Sequence, residues 1–325
     1  MADKYFSQAI REAIQEEMRL DRNVFLIGED IAEYGGAFGV SRGLLDEFGP
    51  QRIRNTPISE NTIVGCAVGS ALLGSRPVVE IMFMDFLMLA LDQLLNHAAK
   101  FHYSYGGRLS VPMVVRVPAG GGRGYGPSHS QCLERLAFGI PGIKIVFPST
   151  PADAKGLLKT AIRDNNPVLF VEDKILYPSK GDVPEKTDPM PFGQARTARE
   201  GSDVTLVAWG RMVAECERAA HVLDKENIST EIIDPRTLCP LDMPSIISSV
   251  KKTQRLVIIE EGHRTGGIGA EIAASIFEEA YYLLDAPIRR VCAQDVPIPA
   301  SVSLESKVLP NASNIVETVR SVISN

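Results

Sequence analysis

The feature that most constrains this chain is the recurrence of short, nearly unbroken apolar runs. Val24–Gly28, Pro77–Phe83, Val111–Val117, Ile143–Phe147 and Pro167–Glu172 come first. Asp203–Trp209, Thr230–Ile233, Arg255–Glu260 and Ile288–Cys292 follow. A strand with one wet face alternates polar and apolar residues. Runs without that alternation suit strands covered on both faces, the condition of parallel sheets. Between the runs lie stretches of helical period. In Pro151–Asp164, residues Ala154, Leu157, Leu158, Ala161 and Ile162 form one apolar stripe, and Pro151 suits a first helical turn. Near the amino end Phe6, Ile10, Ala13, Ile14 and Met18 recur in the same way. The alternation predicts α/β sheets joined by right-handed crossovers.

A chain of 325 residues suggests roughly two domains. Tyr177 to Gly193 holds four prolines and no periodicity, which reads as a linker. The expected division is residues 1–176, linker 177–193, and residues 194–325. The 45% hydrophobic and 23% charged content is that of a globular protein. A net charge of −6 argues against general nucleic-acid binding, which needs a basic surface. The stretch Ile81 to Leu91 is interrupted by Asp85 and is too short to span a bilayer. The amino terminus lacks the apolar core of a signal peptide. Five scattered cysteines (66, 132, 216, 239 and 292) without a CxxC suggest buried free thiols. A cytosolic protein is expected.

Four segments could carry chemistry. In Asn55–Asn61, Pro57 marks a loop, and Ser59 and Glu60 stand at the start of a helix of small residues. An acid in a first helical turn also complements the macrodipole for stability alone. In Glu80–Gln93, phenylalanines and methionines make an apolar wall, which plain core packing also explains. Pro118–Gln131 is too rich in glycine for a core element and predicts a tight loop at a strand end, where α/β proteins place ligands. His129 closes that loop, either capping a following helix or exchanging protons at a pocket mouth. Gly266-Gly267-Ile268-Gly269 does not complete a dinucleotide fingerprint, because Ile272 holds the last position. It reads as a tight strand-to-helix turn.

Taken together, GED at 28–30, NTPISE at 55–60, RPVVE at 76–80, DQ at 92–93 and HSQ at 129–131 have a familiar order. STPADAKGLL at 149–158, AIRDNNPV at 161–168, DPRTLCPLD at 234–242, EEGHRTGGIGAEI at 260–272 and LDAPIRRV at 284–291 continue it. The pattern resembles the β subunit of the thiamine-diphosphate-dependent first component of 2-oxo acid dehydrogenase complexes, over essentially the whole chain. The resemblance implies a pyrimidine-binding α/β domain followed by a transketolase C-terminal-type domain, in an α2β2 heterotetramer.

It also implies roles. Glu60 matches the acid that contacts N1′ of the thiamine diphosphate aminopyrimidine. A shared proton there favours the tautomer whose N4′ removes the thiazolium C2 proton. Phe86 matches an aromatic that packs on the pyrimidine, with Ile58 beside it. His129 matches a histidine associated with proton transfer as the acyl group passes to the lipoyl arm of an acyltransferase second component. The carbonyls of Met113, Ala161, Ile162, Asp164 and Asn166 match a structural potassium site, although an Asp-Asn-Asn turn is adequate without an ion. The GDG motif that holds magnesium and diphosphate is expected on an α chain. The only Gly-Asp here is Gly181-Asp182, followed by Val183. Pyruvate is the expected substrate, with acetoin and branched-chain 2-oxo acids as alternatives. An alternative of another class is a non-catalytic assembly subunit.

Overall fold

The structure, a computed structural model, describes residues 2–324. The chain forms two compact units. Unit 1 is Met1–Ala119 with Leu136–Phe192, and unit 2 is Gly120–Arg135 with Gly193–Asn325.

Unit 1 opens with β1 (Ala2–Tyr5), α1 (Phe6–Leu20) and β2 (Val24–Gly28). Next come α2 (Leu44–Phe48), β3 (Ile53–Asn55), α3 (Glu60–Leu72) and β4 (Arg76–Glu80). The short helices α4 (Leu87–Leu91) and α5 (Ala99–Ser104) lead to β5 (Val114–Ala119). After α6 (Arg135–Phe138) follow β6 (Lys144–Val146), α7 (Pro151–Arg163), β7 (Val168–Asp173) and β8 (Lys180–Val183). Within this unit β6-β7-β5-β4-β2-β3 run parallel in that order.

The periodicity of α1 and α7 has the expected consequence. Phe6, Ile10, Ile14 and Met18 of α1 and Ala154, Leu157, Leu158 and Ile162 of α7 share one core. Each such leucine stabilises the fold by about 2 kcal/mol through the surface it removes from water. At the start of α7 the Thr150 hydroxyl accepts the Asp153 N–H at 3.2 Å, and Pro151 needs no amide partner there. Charges flank the apolar seam: buried Lys155 reaches Glu12 at 2.9 Å and Glu16 at 2.7 Å.

Residues 177–193, expected as a linker, are more ordered than their prolines suggest. β8 pairs antiparallel with β1, and Tyr177 is buried with its hydroxyl 2.7 Å from Glu172 Oε2. Composition cannot register a strand whose partner lies at the other end of the unit. The run Pro77–Phe83 also ends sooner than expected, at Glu80, and turns into a 3-10 helix at Met84–Phe86.

Unit 2 contains β9 (Arg196–Arg199), β10 (Val204–Ala208), α8 (Met212–Leu223), β11 (Thr230–Asp234) and β12 (Thr237–Cys239). It continues with α9 (Met243–Thr253), β13 (Leu256–His263), α10 (Ile268–Ala280), β14 (Arg289–Ala293), α11 (Val302–Val308) and α12 (Ala312–Ile323). Its sheet runs β14-β13-β10-β11-β9, parallel except for the β9 edge. Leu206, Val257 and Ile259 pack under Met212, Cys216 and Ala219 of α8 and Ile315 and Val319 of α12.

All five cysteines are free. Cys132 and Cys216 are buried as expected, but Cys66 is exposed. Among the described residues no helix is long and apolar enough to cross a membrane.

Candidate active site

Parallel strands bring their carboxyl ends to one edge, and that geometry assembles the first group of residues. Gly28 at the end of β2 lies level with Asn55 of β3 and Glu80 of β4. The close fit explains the glycine, since a Cβ at residue 28 would stand 2.7 Å from the Glu80 carbonyl oxygen. Beyond these ends, Glu29 and Glu60 meet. Glu60 is the first residue of α3 and Ser59 its N-cap position. The Ser59 N–H donates to Glu29 Oε1 at 3.2 Å. Glu29 is 7% exposed and Glu60 6%. Burial, and then the charge of Glu60, hold the Glu29 carboxyl above the usual carboxylate range.

The sequence singled out Glu60 but missed Glu29, although GED had been noted as a motif. What reveals Glu29 is the register of β2 against β3, which no local pattern encodes. Ile58, expected beside the pyrimidine, is 81% exposed. Phe86 ends the 3-10 helix half-buried, its ring edge-on to Phe83 with centroids 6.0 Å apart. The residues Asp92 and Gln93 begin a π-helical stretch, Asp92–Ala98, that packs on α3. There the small residues of α3 matter, since a Cβ at Gly65 would already touch Gln93 Oε1 at 3.4 Å.

His129 belongs to unit 2. No helix follows it directly, because α6 begins only at Arg135, so the helix-capping reading of His129 fails. Its Nδ1 lies 2.9 Å from Ser128 Oγ, and its N–H donates to the Gly126 carbonyl at 3.3 Å. The glycine loop before it is tightly turned, with positive φ at Gly120, Gly122, Gly124 and Gly126.

Four of the five carbonyls matched to potassium already have protein partners. Arg76 Nη1 donates to the Ile162 and Asp164 carbonyls at 3.1 and 3.0 Å. The Ala161 carbonyl accepts from the Asp164 N–H at 3.3 Å and Met113 from the Val168 N–H at 2.9 Å. The Asp164 side chain accepts from Asn166 and pairs with Lys144. Each carbonyl keeps a second lone pair, and the end of a helix favours a cation. Four of the carbonyls are therefore partnered without an ion, and none is closed to one.

The comparisons with known proteins bear on this geometry. The family model "Transketolase, pyrimidine binding domain" matches residues 4–180, and "Transketolase, C-terminal domain" matches residues 193–315. A relative from Rickettsia felis, "Pyruvate dehydrogenase E1 component subunit beta", is 49% identical over 315 residues, 97% of each chain. The chain belongs to the pyruvate dehydrogenase E1 β-subunit family. A Rickettsia conorii protein of the same name is 48% identical over 315 residues, again 97% of each chain. A solved structure, "Split gene transketolase, inactive beta4 tetramer", superimposes with a TM-score of 0.82 over 98% of both chains at 22% identity. At that identity the likeness speaks for the fold.

The pyrimidine-binding domain of this E1 β chain offers a fitting half-site. The Glu60 carboxyl is buried yet receives no hydrogen bond among the described residues, and the nearby Thr56 hydroxyl oxygen is buried without a partner. Native proteins seldom leave a buried hydroxyl unsatisfied, so Thr56 asks for a polar ligand beside the Glu60 carboxyl. The aminopyrimidine of thiamine diphosphate, with ring nitrogens and an amino group, has the donors and acceptors for that demand.

Proposed function

We propose that this chain is the β subunit of an α2β2 pyruvate dehydrogenase (acetyl-transferring). On this reading it acts on thiamine diphosphate only together with an α subunit and passes the acetyl group to lipoyl on an acyltransferase second component. The observation that carries the reading is Glu60: a buried carboxyl beside Glu29 at the carboxyl edge of a parallel sheet, in a chain nearly half identical to named E1 β subunits.

Thiamine diphosphate, when bound, supplies a nucleophilic carbon for the 2-oxo carbonyl and an electron sink as carbon dioxide leaves. Glu60 holds the proton at N1′ of the pyrimidine. Glu29, its own carboxyl held above the usual range by burial and by Glu60, stands beside that acid. Phe86 covers the ring, and Ile58, exposed in this chain, supplies a second apolar contact at the face where the α subunit completes the site. His129 moves a proton as the acyl group is handed on. Magnesium and the diphosphate fall to the α subunit, in keeping with Gly181-Asp182 lying in strand β8 rather than in a loop before a helix. A potassium ion at the Met113, Ala161, Ile162, Asp164 and Asn166 carbonyls would strengthen the end of α7. The scattered free thiols favour a cytosolic location.

The test is to prepare the chain with and without its α partner and assay pyruvate, 2-oxoisovalerate and acetoin with thiamine diphosphate, magnesium and an artificial electron acceptor. Activity confined to the mixture, greatest with pyruvate, is the expected result. Activity of the isolated chain, or preference for another substrate, contradicts it.

A further inference from the structure

The glycine loop before His129 is held by carboxylates. The Gly122 N–H donates to Glu305 Oε1 at 2.8 Å and the Gly124 N–H to Glu305 Oε2 at 2.9 Å. The Gly121 N–H donates to Glu261 Oε1 at 2.6 Å, and the other Glu261 oxygen pairs with Arg211. Successive amides turned to one side form a nest that binds anions. Here the protein supplies the anion itself, from the middle of α11.

The loop is pressed onto that helix. A Cβ at Gly121 would stand 2.7 Å from Leu309 Cδ1, and one at Gly124 3.0 Å from the Ala300 carbonyl oxygen. By contrast, two backbone bonds of the loop are long: Gly120 N–H to Gln131 and His129 N–H to Gly126 are both 3.3 Å. The carboxylate bonds are charge-assisted, and such bonds are the stronger and more directional kind.

Glu305 is 1% exposed, and among the described residues it has no cationic partner. A buried carboxylate is costly unless its lone pairs are satisfied. The side-chain bonds it makes are those to the loop. Its charge therefore has one evident structural task, and that task ends two residues from Gly126, whose carbonyl anchors the His129 amide.

We propose that Glu305 is a positioning residue: its carboxylate clamps the Gly122 and Gly124 amides and so fixes the loop that presents His129. The inference rests on the reading of His129 as the group that serves acyl transfer to lipoyl. Decarboxylation followed by an artificial acceptor depends on the Glu60 half of the machinery and is left largely alone.

The experiment uses the assembled α2β2 enzyme carrying Glu305→Ala, Glu305→Gln or His129→Ala. It compares the artificial-acceptor rate, the kcat and KM for lipoyl-domain acetylation, and hydrogen exchange of residues 121–124. Glu305→Ala should speed exchange of those amides at least tenfold and lower kcat for lipoyl acetylation about tenfold. The artificial-acceptor rate and the tetramer mass should stay within twofold. Glu305→Gln, which keeps one acceptor oxygen, should fall between Ala and the parent. Unchanged exchange in Glu305→Ala overturns the clamp. An equal fall of both activities, or loss of the tetramer in both Glu305 variants, shows a merely structural role and overturns the positioning claim. Undiminished lipoyl acetylation in His129→Ala defeats the reading of His129 instead, and the exchange data then still decide for or against the clamp.

Discussion

In unit 1, Arg116 on β5 has no exposed surface, and its guanidinium reaches Glu80 at 2.7 Å and Glu172 at 2.7 and 2.8 Å. The Tyr177 hydroxyl adds a further donor to Glu172. In unit 2, Glu134 and Glu260 are buried as deeply, but neither has an ion-pair partner among the described residues. Glu134 accepts the Trp209 indole N–H at 3.3 Å and leaves its other oxygen unpartnered. Glu260 accepts the Gly269 N–H at 3.2 Å.

The two clusters answer the same desolvation problem in different ways. Burial opposes the Arg116 charge, but Glu172 and Glu80 outweigh it and hold the guanidinium firmly protonated. Burial, and then the charge of Glu134, pushes the Glu260 carboxyl up to about 7. Paired charge is intolerant of losing a partner. Unmatched acid tolerates substitution but responds to pH.

Removing the cation breaks the comparison hardest. Arg116→Met leaves Glu80 and Glu172 buried together, and should cost about 3–5 kcal/mol, as breaking buried pairs does. A fall of about 10 °C in the melting temperature, or insoluble protein, is expected. A melt within 2–3 °C of the parent would show the network to be dispensable, about 1 kcal/mol or less.

Glu260→Gln sharpens the other side. The folded carboxyl, near 7, binds its proton more tightly than the unfolded one near 4.5. Stability from this group is therefore complete below pH 4.5 and lost as pH rises towards and through 7, up to about 3 kcal/mol. The glutamine variant should melt higher than the parent at pH 8 and close to it at pH 5. Equal melting temperatures at both values would remove the contrast. The smallest effect is at the fringe of the matched cluster. Tyr177→Phe removes one donor from Glu172 and should cost about 1–2 kcal/mol in denaturant unfolding, with no pH dependence between 6 and 8.

Much of this fold was legible because the parallel strands are buried on both faces and their apolar runs are continuous. β2 matches its run residue for residue, and β10, β11 and β14 shift by only one residue at either end. The strands that escaped notice, β1, β3, β8, β9 and β12, are three or four residues long. β1 exists only because β8, some 180 positions away, completes its hydrogen bonds. The site divides in the same manner. Glu60 was visible from a loop proline and a helix start, local signals both. Glu29 depends on strand register, and Glu305 depends on a contact across about 180 residues, so neither had a local signature.

The central claim is that this chain provides an acid without which a shared thiamine diphosphate site cannot turn over. The most direct measurement is carbon dioxide release from pyruvate by the α2β2 assembly carrying Glu60→Gln, with tetramer mass and cofactor binding recorded on the same sample. An intact tetramer that binds thiamine diphosphate but releases carbon dioxide at least a hundredfold more slowly is the result the half-site requires. An intact tetramer with parental turnover would contradict it and leave the chain a structural partner of the subunit that does the chemistry.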